Sequence, residues 1–373
     1  MQGNFLIAVF FILQSASTVL GETPEPHSTM RAAIAALKSA KNENEKSTIL
    51  AEIGHLHLES PDQLVELYDE VAGLERKVTD VDPANQRKYV ENTRILSRVL
   101  GTAESVQFSD ALATVLEKEY RSMPTDFVGA QGAGPKRDLV RNQMRQLRLQ
   151  ALVDIAGKTR NRKALSTLRK MLDRRGVPRQ LAVGAIGQIG DPSDIEDFIR
   201  RIKRDPKSHI TLNSFGPAAV DPIIREVEDP SVSEQAKYTM AVSLEYMATH
   251  ENLDKYRHLL KHKDQVIREM TAKAVCRIAQ SGDGDALIEI AEDSTNMYQL
   301  QAVDTMRRVW NPKFSPILRK LLNSDPDQIV RAHSARILGI HNVRDARSDL
   351  EKAQNDRQGE VRRAASAALK DMQ

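Results

Sequence analysis

A repeat of 29 to 32 residues is the sequence feature that most constrains the fold of this chain. In eight places a polar residue, which we call the anchor, is followed seven residues later by an apolar residue. The pairs are Arg148 with Ile155, Arg179 with Ile186, Ser208 with Phe215, Lys237 with Leu244, Arg268 with Val275, Gln299 with Met306, Arg331 with Leu338 and Arg362 with Leu369. A fixed period of this length is typical of solenoids, in which similar helical or strand units stack on one another.

Each repeat contains two short amphipathic segments. Small and apolar residues follow each anchor for about three helical turns, and a second segment such as Ile195 to Ile202 or Val220 to Val227 lies between them. The turns are marked by Asp205-Pro206, Asp229-Pro230 and Asp325-Pro326, where proline ends the first helix and the aspartate can accept from the free amides of the next helix. Because one helix pair cannot bury its apolar stripe alone, neighbouring pairs must stack.

Composition supports helices and limits the class of partner. Aromatic residues make up only 4 % of the chain, and Ala, Leu, Arg and Glu dominate over β-branched runs. The 54 basic and 51 acidic residues nearly balance, which argues against a chain devoted throughout to nucleic acid or to an anionic membrane. Any electrostatic specialisation must therefore be local, and we expect no nucleic-acid partner.

The chain divides at residues 123–136, where three glycines and two prolines interrupt the helical patterns. We interpret this segment as a linker or an extended loop. The predicted organisation is a signal peptide at 1–21, an N-terminal helical region at 22–122, this linker, and a solenoid at 137–373. Amphipathic segments before the linker lie near residues 28–40, 46–57, 61–76, 85–100 and 108–121.

The last repeats resemble a known family. The segments Asp327 to Gly339 and Glu360 to Leu369 resemble HEAT repeats, particularly the short subtype also found in phycobilin lyases, and Ala185 to Asp191 is similar to the helix end and turn of the same motif. The resemblance covers about residues 148–373. Ser208 and Gln299 stand at positions where the family has an arginine. The resemblance implies an all-α, right-handed α-solenoid of stacked helix pairs whose second helices line a concave surface. It implies no reaction.

The resemblance also bears on the anchor arginines Arg268, Arg331 and Arg362. In the family this arginine pairs with acidic turn residues of adjoining repeats, while the alternative is a ladder of binding residues. The residues one, five and eight positions after each anchor fall off the apolar stripe and are the predicted partner-facing set. They include Tyr238, Glu245, Glu269, Lys273, Arg307 and Arg336.

A local excess of positive charge lies in residues 135–210, which contain 19 basic and 8 acidic side chains. We expect this segment to form an electrostatic contact surface for an acidic protein, polysaccharide or lipid surface, although a solvated helical surface is the alternative. The basic residues that define it are Lys136, Arg137, Arg141, Arg145, Arg160, Arg162, Lys163, Arg200, Arg201 and Lys203.

Motifs for catalysis are weak, so we predict no catalytic residue, no cofactor and no metal site. The glycine-rich run at 129–134 has Pro135 where a phosphate-binding loop needs Lys. His258 and His262 are four residues apart and could clamp a metal with His250 or Glu251, but a clear third ligand on one face is missing. The His250-Glu251 pair is similar to those of HEAT-type deoxyhypusine hydroxylases, which need several such pairs. A lyase-like enzyme on the same repeats remains the alternative to a binding scaffold.

The N-terminal residues favour export. Phe5 to Leu13 is an unbroken apolar run of the length of a signal-peptide core, too short to span a bilayer, and Val19 and Gly21 suit a peptidase that cuts before Glu22. No Lys or Arg precedes the run, so an uncleaved anchor and a buried helix remain alternatives. The single cysteine, Cys276, excludes an internal disulfide. We therefore expect a secreted or periplasmic protein-binding scaffold that contacts the membrane only if this segment stays uncleaved.

Export predicts that the mature chain begins near Glu22. The apolar run ends in small residues that a signal peptidase accepts. Edman sequencing or intact-mass measurement of the protein purified from its natural cells tests this. Recovery of an uncut chain from the cytosol would contradict the prediction.

Overall fold

A computed structural model of the chain describes residues 29–78, 83–125, 127, 136–208 and 210–372. The predicted signal peptide lies outside the described residues, as does most of the predicted linker. Two compact units make up the chain, residues 1–155 and residues 156–373. Among the described residues no helix is both long and apolar enough to cross a bilayer.

The first unit is built from helices that the amphipathic pattern predicts. They are α1 (Met30–Ser39), α2 (Glu43–Ile53), α3 (Pro61–Arg76), α4 (Pro83–Leu100), α5 (Ser109–Ser122) and α6 (Lys136–Lys158), whose last turn belongs to the second unit. Side chains fix two of the helix starts. The Thr29 hydroxyl accepts from the amide of Ala32 at 3.2 Å, and the Asn42 side chain accepts from the amide of Glu45 at 2.9 Å.

A cluster of charged side chains is buried inside the first unit. The anchor Arg148 is only 1 % exposed; its Nε donates to Glu119 Oε2 at 3.0 Å and its Nη2 donates to Glu75 Oε2 at 2.6 Å. The Tyr68 hydroxyl donates to Glu119 Oε2 at 2.7 Å, and burial raises the pKa of this hydroxyl, which keeps its proton. Buried charges persist only when they are paired, so this anchor joins α3, α5 and α6.

The second unit consists of stacked helix pairs. In chain order they are α7 (Leu165–Met171) with α8 (Val177–Ile189), α9 (Pro192–Arg204) with a 3₁₀ helix (Asn213–Ala219), α10 (Val220–Glu228) with α11 (Glu234–Met247), α12 (Leu253–Arg257) with α13 (Gln265–Ile278), α14 (Gly284–Glu292) with α15 (Gln299–Arg308), α16 (Phe314–Ser324) with α17 (Gln328–Ile340), and α18 (Arg347–Ala353) with α19 (Gly359–Asp371). The predicted all-α solenoid of helix pairs is confirmed.

The apolar residues that follow the anchors form the core, as the repeat predicts. Ile186, Val275 and Leu338 are fully buried, and Leu244 is 3 % exposed. They belong to second helices, each of which packs against its own first helix and against the second helix of a neighbouring pair. The fixed seven-residue spacing therefore marks the buried face of the second helix.

One pair departs from the pattern. The anchor Ser208 does not begin a second helix; the chain continues as a loop and then a 3₁₀ helix interrupted at Gly216, whose φ of +59° suits only glycine. Phe215 still enters the core, where its ring meets that of Phe198 edge-on with centroids 5.0 Å apart. Gly187 on α8 allows the close approach of Ser214, since an added Cβ would lie 1.9 Å from the Ser214 hydroxyl.

Anchor side chains join the turns of consecutive pairs in the second unit. Arg331 is 4 % exposed, and its Nη1 donates to the carbonyl of Asp325 in its own turn at 2.8 Å. Its Nε and Nη2 donate to the two carboxylate oxygens of Asp356 in the next turn at 3.0 and 3.1 Å. This bidentate ion pair agrees with the pairing that the family resemblance implies for the arginine.

Other anchors repeat this arrangement with fewer bonds. Arg268 Nη1 donates to the carbonyl of His262 at 2.8 Å, and its Nε lies 3.8 Å from the Asp293 carboxylate. Gln299 lacks the charge, yet its Nε2 donates to the carbonyl of Ala291 at 2.9 Å and to Asp325 Oδ2 at 2.8 Å. The anchor position therefore keeps its structural role where the arginine is absent.

The aspartates that precede proline do not cap the second helices, although the sequence pattern predicted that they could. Asp325 Oδ1 accepts from the amide of Asp327 at 2.9 Å and so closes the turn, whereas Asp327 caps α17 by accepting from the amide of Ile329 at 2.8 Å. Asp229 likewise accepts from the amide of Ser231 at 2.8 Å. The aspartate before proline therefore stabilises the turn, and a later residue caps the second helix.

The stacked core predicts a local response to a cavity. Truncating the fully buried Leu338 to Ala should lower the free energy of unfolding by about 2–5 kcal/mol. In a linear array the damage should concentrate in the adjoining helices. Hydrogen exchange should therefore accelerate in α17 and α19 while α7 and α8 keep their protection. Equal loss of protection throughout the second unit would contradict the repeat architecture.

The Arg331 ion pair predicts a pH-dependent loss of stability. The hydrogen bond from Arg331 lowers the pKa of Asp356, so the carboxylate stabilises the fold above its ordinary pKa of about 4 and this contribution is lost as the pH falls through the lowered value. Arg331→Gln should lower the free energy of unfolding by about 3–5 kcal/mol at pH 7, because it breaks a buried pair. The deficit should shrink below about pH 4.

Arg336→Gln is the matched control, since Arg336 is exposed on the same helix and pairs with Glu360 at 2.9 Å. An exposed pair is worth about 0–1 kcal/mol. Urea unfolding of the two variants and the unmodified chain at pH 7 and at pH 3 measures both effects. A deficit in Arg331→Gln that is the same at both pH values would refute the assigned role of Asp356.

Candidate partner-binding surface

Exposed apolar side chains concentrate on the second helices of the solenoid. Of the seven large apolar residues that are exposed in the described part of the chain, six lie on a second helix or within two residues of its start. These six are Tyr238, Tyr246, Val266, Met297, Ile329 and Ile340, and we call them the apolar row. The seventh, Val106, lies in the first unit. Within the described part of the second unit the first helices contribute none, so large exposed apolar residues there lie on the second helices or just before them.

Three members of the apolar row occupy the same place in successive repeats. Val266, Met297 and Ile329 each precede an anchor by two residues. The corresponding helices α13, α15 and α17 pack against one another in order, so these side chains follow one another along the stack. The repeat thus places an exposed apolar residue at the same position in three successive pairs.

The sequence-predicted residues on α11 and α13 divide between surface and interior. Tyr238 is 46 % exposed, and Glu269 is half-buried and accepts from Gln265 Nε2 at 2.9 Å. Lys273 Nζ lies 3.0 Å from Glu245 Oε2, and this hydrogen bond raises the pKa of Lys273. Glu245 itself is 6 % exposed, so its assignment to the partner-facing set is wrong. On α11, Lys273 of the neighbouring helix lies against the residue eight positions after the anchor.

The predicted residues on α15 and α17 are exposed. Arg307 lies 3.7 Å from the Asp304 carboxylate, and the carbonyl of Arg307 faces His341 Nε2 at 3.3 Å. Arg336 pairs with Glu360, as described above. The imidazole of His341 stacks on Trp310 with ring centroids 4.1 Å apart. Both arginines therefore lie exposed on second helices of the solenoid.

Two further arginines, which the seven-residue spacing does not mark, cap the ends of second helices. Arg277 Nη2 donates to the carbonyls of Glu245 and Ala248 at 2.6 and 3.0 Å, and Arg308 Nη2 donates to the carbonyl of Cys276 at 3.3 Å. Carbonyls in the last turn of a helix lack partners within it, which these side chains supply. Neither guanidinium pairs with a carboxylate among the described residues.

The predicted basic segment is divided between the two units. In the first unit Arg145 pairs with Glu75, and Arg141 Nη2 donates to the carbonyl of Val78 at 2.8 Å. These two side chains therefore stabilise the unit's own packing. The side chains of Lys136 and Arg137 lie outside the described residues.

In the second unit several of the predicted basic residues pair with acidic ones. Arg201 bonds both Asp173 and Asp197 at 2.7 Å, and Lys203 bonds Glu226 at 2.8 Å. The remaining predicted residues are exposed, and one of them pairs with Asp197; they are Arg160, Arg162, Lys163 and Arg200. Binding of an acidic partner by residues 135–210 stays a prediction.

The histidines considered as metal ligands face different partners. His258 Nε2 lies 2.9 Å from Glu228 Oε1, while His262 Nδ1 accepts from the amide of Asp264 at 3.1 Å. His250 Nδ1 lies 3.1 Å from Asp283 Oδ2. Within the described residues no group of three His, Cys, Asp or Glu side chains is arranged to hold a metal ion. Burial raises the pKa of the Cys276 thiol to about 12.

Two solved structures resemble the chain over most of its length. Human deoxyhypusine hydroxylase in complex with glycerol is 13 % identical, and the alignment covers 82 % of this chain and 96 % of that chain with a TM-score of 0.22. A designed armadillo repeat protein is 16 % identical, with 81 % and 100 % covered and a TM-score of 0.18. Similarity at these scores carries no argument about function. No curated protein matches the chain in sequence.

A family model matches the C-terminal part of the chain. The model describes HEAT repeats, and the matched residues are 284–370. This range contains α14 to α18 and nearly all of α19, whose anchors Gln299, Arg331 and Arg362 follow the repeat. The last three helix pairs of the chain therefore match the form of HEAT repeats.

Proposed function

We propose that the chain is a non-catalytic scaffold that binds a protein partner along helices α11, α13, α15 and α17. The observation that carries this proposal is that the large exposed apolar side chains described in the second unit lie on the second helices or within two residues of their start. Contiguous exposed apolar surface on a soluble chain marks an interaction site, whereas scattered apolar residues need no explanation. Three members of the apolar row recur at one position of successive repeats, so the exposed apolar residues of the second unit are not randomly scattered.

The residue types along this surface suit a protein interface. Tyr, Met and Arg are enriched at interfaces, and the row contributes Tyr238, Tyr246 and Met297. Arg277 and Arg308 add positive charge, and among the described residues their guanidinium groups bond backbone carbonyls. An extended or helical partner with apolar residues beside acidic ones is the complementary shape and charge.

The chemistry of the described residues supports binding over catalysis. A nucleophilic cysteine requires a thiolate, but the Cys276 thiol is buried and its pKa of about 12 keeps it protonated at neutral pH. His250 and His258 each face a carboxylate at the surface. The resemblance of the repeats to the phycobilin lyase subtype concerns the form of the helix pair, and a lyase-like enzyme is the alternative.

We place the scaffold in the cell envelope or outside the cell. The support for this location is the apolar run from Phe5 to Leu13, followed by small residues at which a signal peptidase can cut. The chain's one cysteine is compatible with an oxidising compartment, because the fold does not depend on a disulfide.

Photo-crosslinking tests the proposed surface. Benzoylphenylalanine in place of Tyr238 or Tyr246 should capture the same protein in the natural cells, because both side chains are exposed on α11. Benzoylphenylalanine in place of Val106 is the control, since this residue is exposed but lies in the first unit. Mass spectrometry of the adducts identifies the partner.

The captured partner then serves in a quantitative test. Met297→Ser combined with Ile329→Ser should weaken its binding at least about tenfold, because interface anchors each cost more than about 1 kcal/mol when truncated. Val106→Ser should leave the affinity unchanged. Equal capture from Val106 and from the two tyrosine positions, or an unchanged affinity in the double variant, would overturn the proposal.

A further inference from the structure

One position of the repeat is exposed in four successive second helices. It lies nine residues after the anchor and falls within the last two residues of each helix. The residues there are Tyr246 on α11, Arg277 on α13, Arg308 on α15 and Ile340 on α17, and we call them the helix-end row. Tyr246 is 63 % exposed, Ile340 is 56 % exposed, and both arginines are exposed. Two basic residues therefore lie between two large apolar ones along the stack.

Hydrogen bonds between neighbouring helices place the first three residues of this row side by side. The Arg277 guanidinium donates to the carbonyl of Glu245, the residue before Tyr246, at 2.6 Å. The Arg308 guanidinium donates to the carbonyl of Cys276, the residue before Arg277, at 3.3 Å. Each arginine therefore reaches back to the end of the preceding second helix.

A similar contact joins the third and fourth residues. His341 follows Ile340, and its Nε2 lies 3.3 Å from the carbonyl of Arg307, the residue before Arg308. The second helices pack against one another in order. Because packed helices lie about 8–10 Å apart, the three intervals of the helix-end row together span about 24–30 Å.

Arg277 and Arg308 differ from the other basic residues of α13, α15 and α17, because no described carboxylate pairs with them. The other five basic residues are Arg268 with Asp293, Lys273 with Glu245, Arg307 with Asp304, Arg331 with Asp356 and Arg336 with Glu360. The described bonds of Arg277 and Arg308 run from Nη2 to backbone carbonyls. Nε and Nη1 of each guanidinium can therefore donate to a carboxylate of a partner.

The two guanidinium groups are also held in place by the solenoid itself. Arg277 Nη2 bonds a second carbonyl, that of Ala248, at 3.0 Å, so two acceptors fix its orientation. An arginine that is free in solvent loses rotamer entropy when it binds a ligand, whereas a side chain that is already ordered loses less. The arginines of the helix-end row are therefore preorganised for recognition.

We propose that the helix-end row binds an extended acidic segment of the protein partner. Two carboxylates would meet Arg277 and Arg308, and an apolar side chain would pack on Tyr246 at one end and on Ile340 at the other. The inference rests on the proposed function, because it names the chemistry of the partner at one end of that surface.

The spacing of the row favours an extended segment over a helix. A polyproline II segment returns a side chain to the same side every three residues, after about 9.3 Å, so three intervals span about 28 Å. The row spans about 24–30 Å. An α-helix returns a side chain to one side every seven residues, and three such intervals span about 32 Å, which exceeds the row. The recognised pattern is therefore apolar, acidic, acidic and apolar, each three residues after the last.

Fluorescence anisotropy with the labelled synthetic peptide Leu-Ser-Pro-Glu-Ser-Pro-Glu-Ser-Pro-Leu, titrated with the full chain, tests the site. One saturable site is expected. Arg277→Gln and Arg308→Gln should each weaken binding about tenfold, because each removes a charge-assisted bond. Arg336→Gln is the matched control, since Arg336 is exposed on α17 but pairs with Glu360. It should leave the affinity unchanged.

Two further sets of variants keep the test independent of the capping bonds. Tyr246→Ser and Ile340→Ser change exposed side chains and should each weaken binding several-fold at an unchanged melting temperature. Arg277→Glu and Arg308→Glu should each lose binding of the peptide. A peptide in which lysine replaces one glutamate should restore binding to one of these variants, and lysine at the other glutamate should restore binding to the other. A loss of folding would not be rescued in this position-specific way.

The outcomes separate this inference from the proposed function. Absence of saturable peptide binding, or equal weakening by Arg336→Gln and Arg308→Gln, would refute the helix-end row. Tighter binding of a peptide that carries the same four residues at seven-residue intervals would refute the extended segment. If crosslinking and the Met297→Ser, Ile329→Ser variant support the proposed surface while the peptide fails, the scaffold function stands and only this inference is lost.

Discussion

The contact between an anchor side chain and two consecutive turns is the interaction on which the solenoid depends. Burial of apolar side chains supplies most of the free energy of stacking, but it has no direction and fixes no register. The anchor adds direction. Arg331 donates to the backbone of its own turn and to Asp356 in the next turn, so each pair is held at a defined position relative to the following one.

This arrangement hydrogen-bonds the polar groups that lie between pairs. The exposed side chains of the second helices are therefore not needed for these bonds. Carbonyls at the helix ends are satisfied by Arg277 and Arg308, and turn amides are satisfied by aspartates such as Asp325. Apolar residues that remain on the second helices, such as Tyr246 and Met297, therefore add nothing to the stack. Their exposure has a cost in solubility, and a partner that covers them explains why that cost is tolerated.

Sequence reasoning predicted the buried face better than the exposed one. A seven-residue spacing fixes the angle of Leu338 on its helix, and stacking guarantees that this angle is covered. Glu245 was assigned to the surface because it lies off the apolar stripe, but the neighbouring helix brings Lys273 over it. Val266 and Ile329 were missed for the opposite reason, since apolar residues beside a buried stripe resemble core. The spacing of residues in the sequence gives the direction of a side chain around its helix axis. The exposure of that side chain depends also on where the neighbouring helix ends.

The periodic pattern also predicted a second helix after Ser208, and the absence of that helix accompanies a change in the contacts of the preceding anchor. The anchors Arg268, Gln299 and Arg331 each reach the acidic residue of the next turn. Among the described residues Arg179 bonds only backbone carbonyls, those of Leu172 and Ser208. The apolar part of the repeat is nevertheless kept, since Phe215 packs against Phe198 from a 3₁₀ helix. Burial of the apolar residue therefore tolerates a change of backbone conformation, whereas the polar contact of the anchor needs the regular turn.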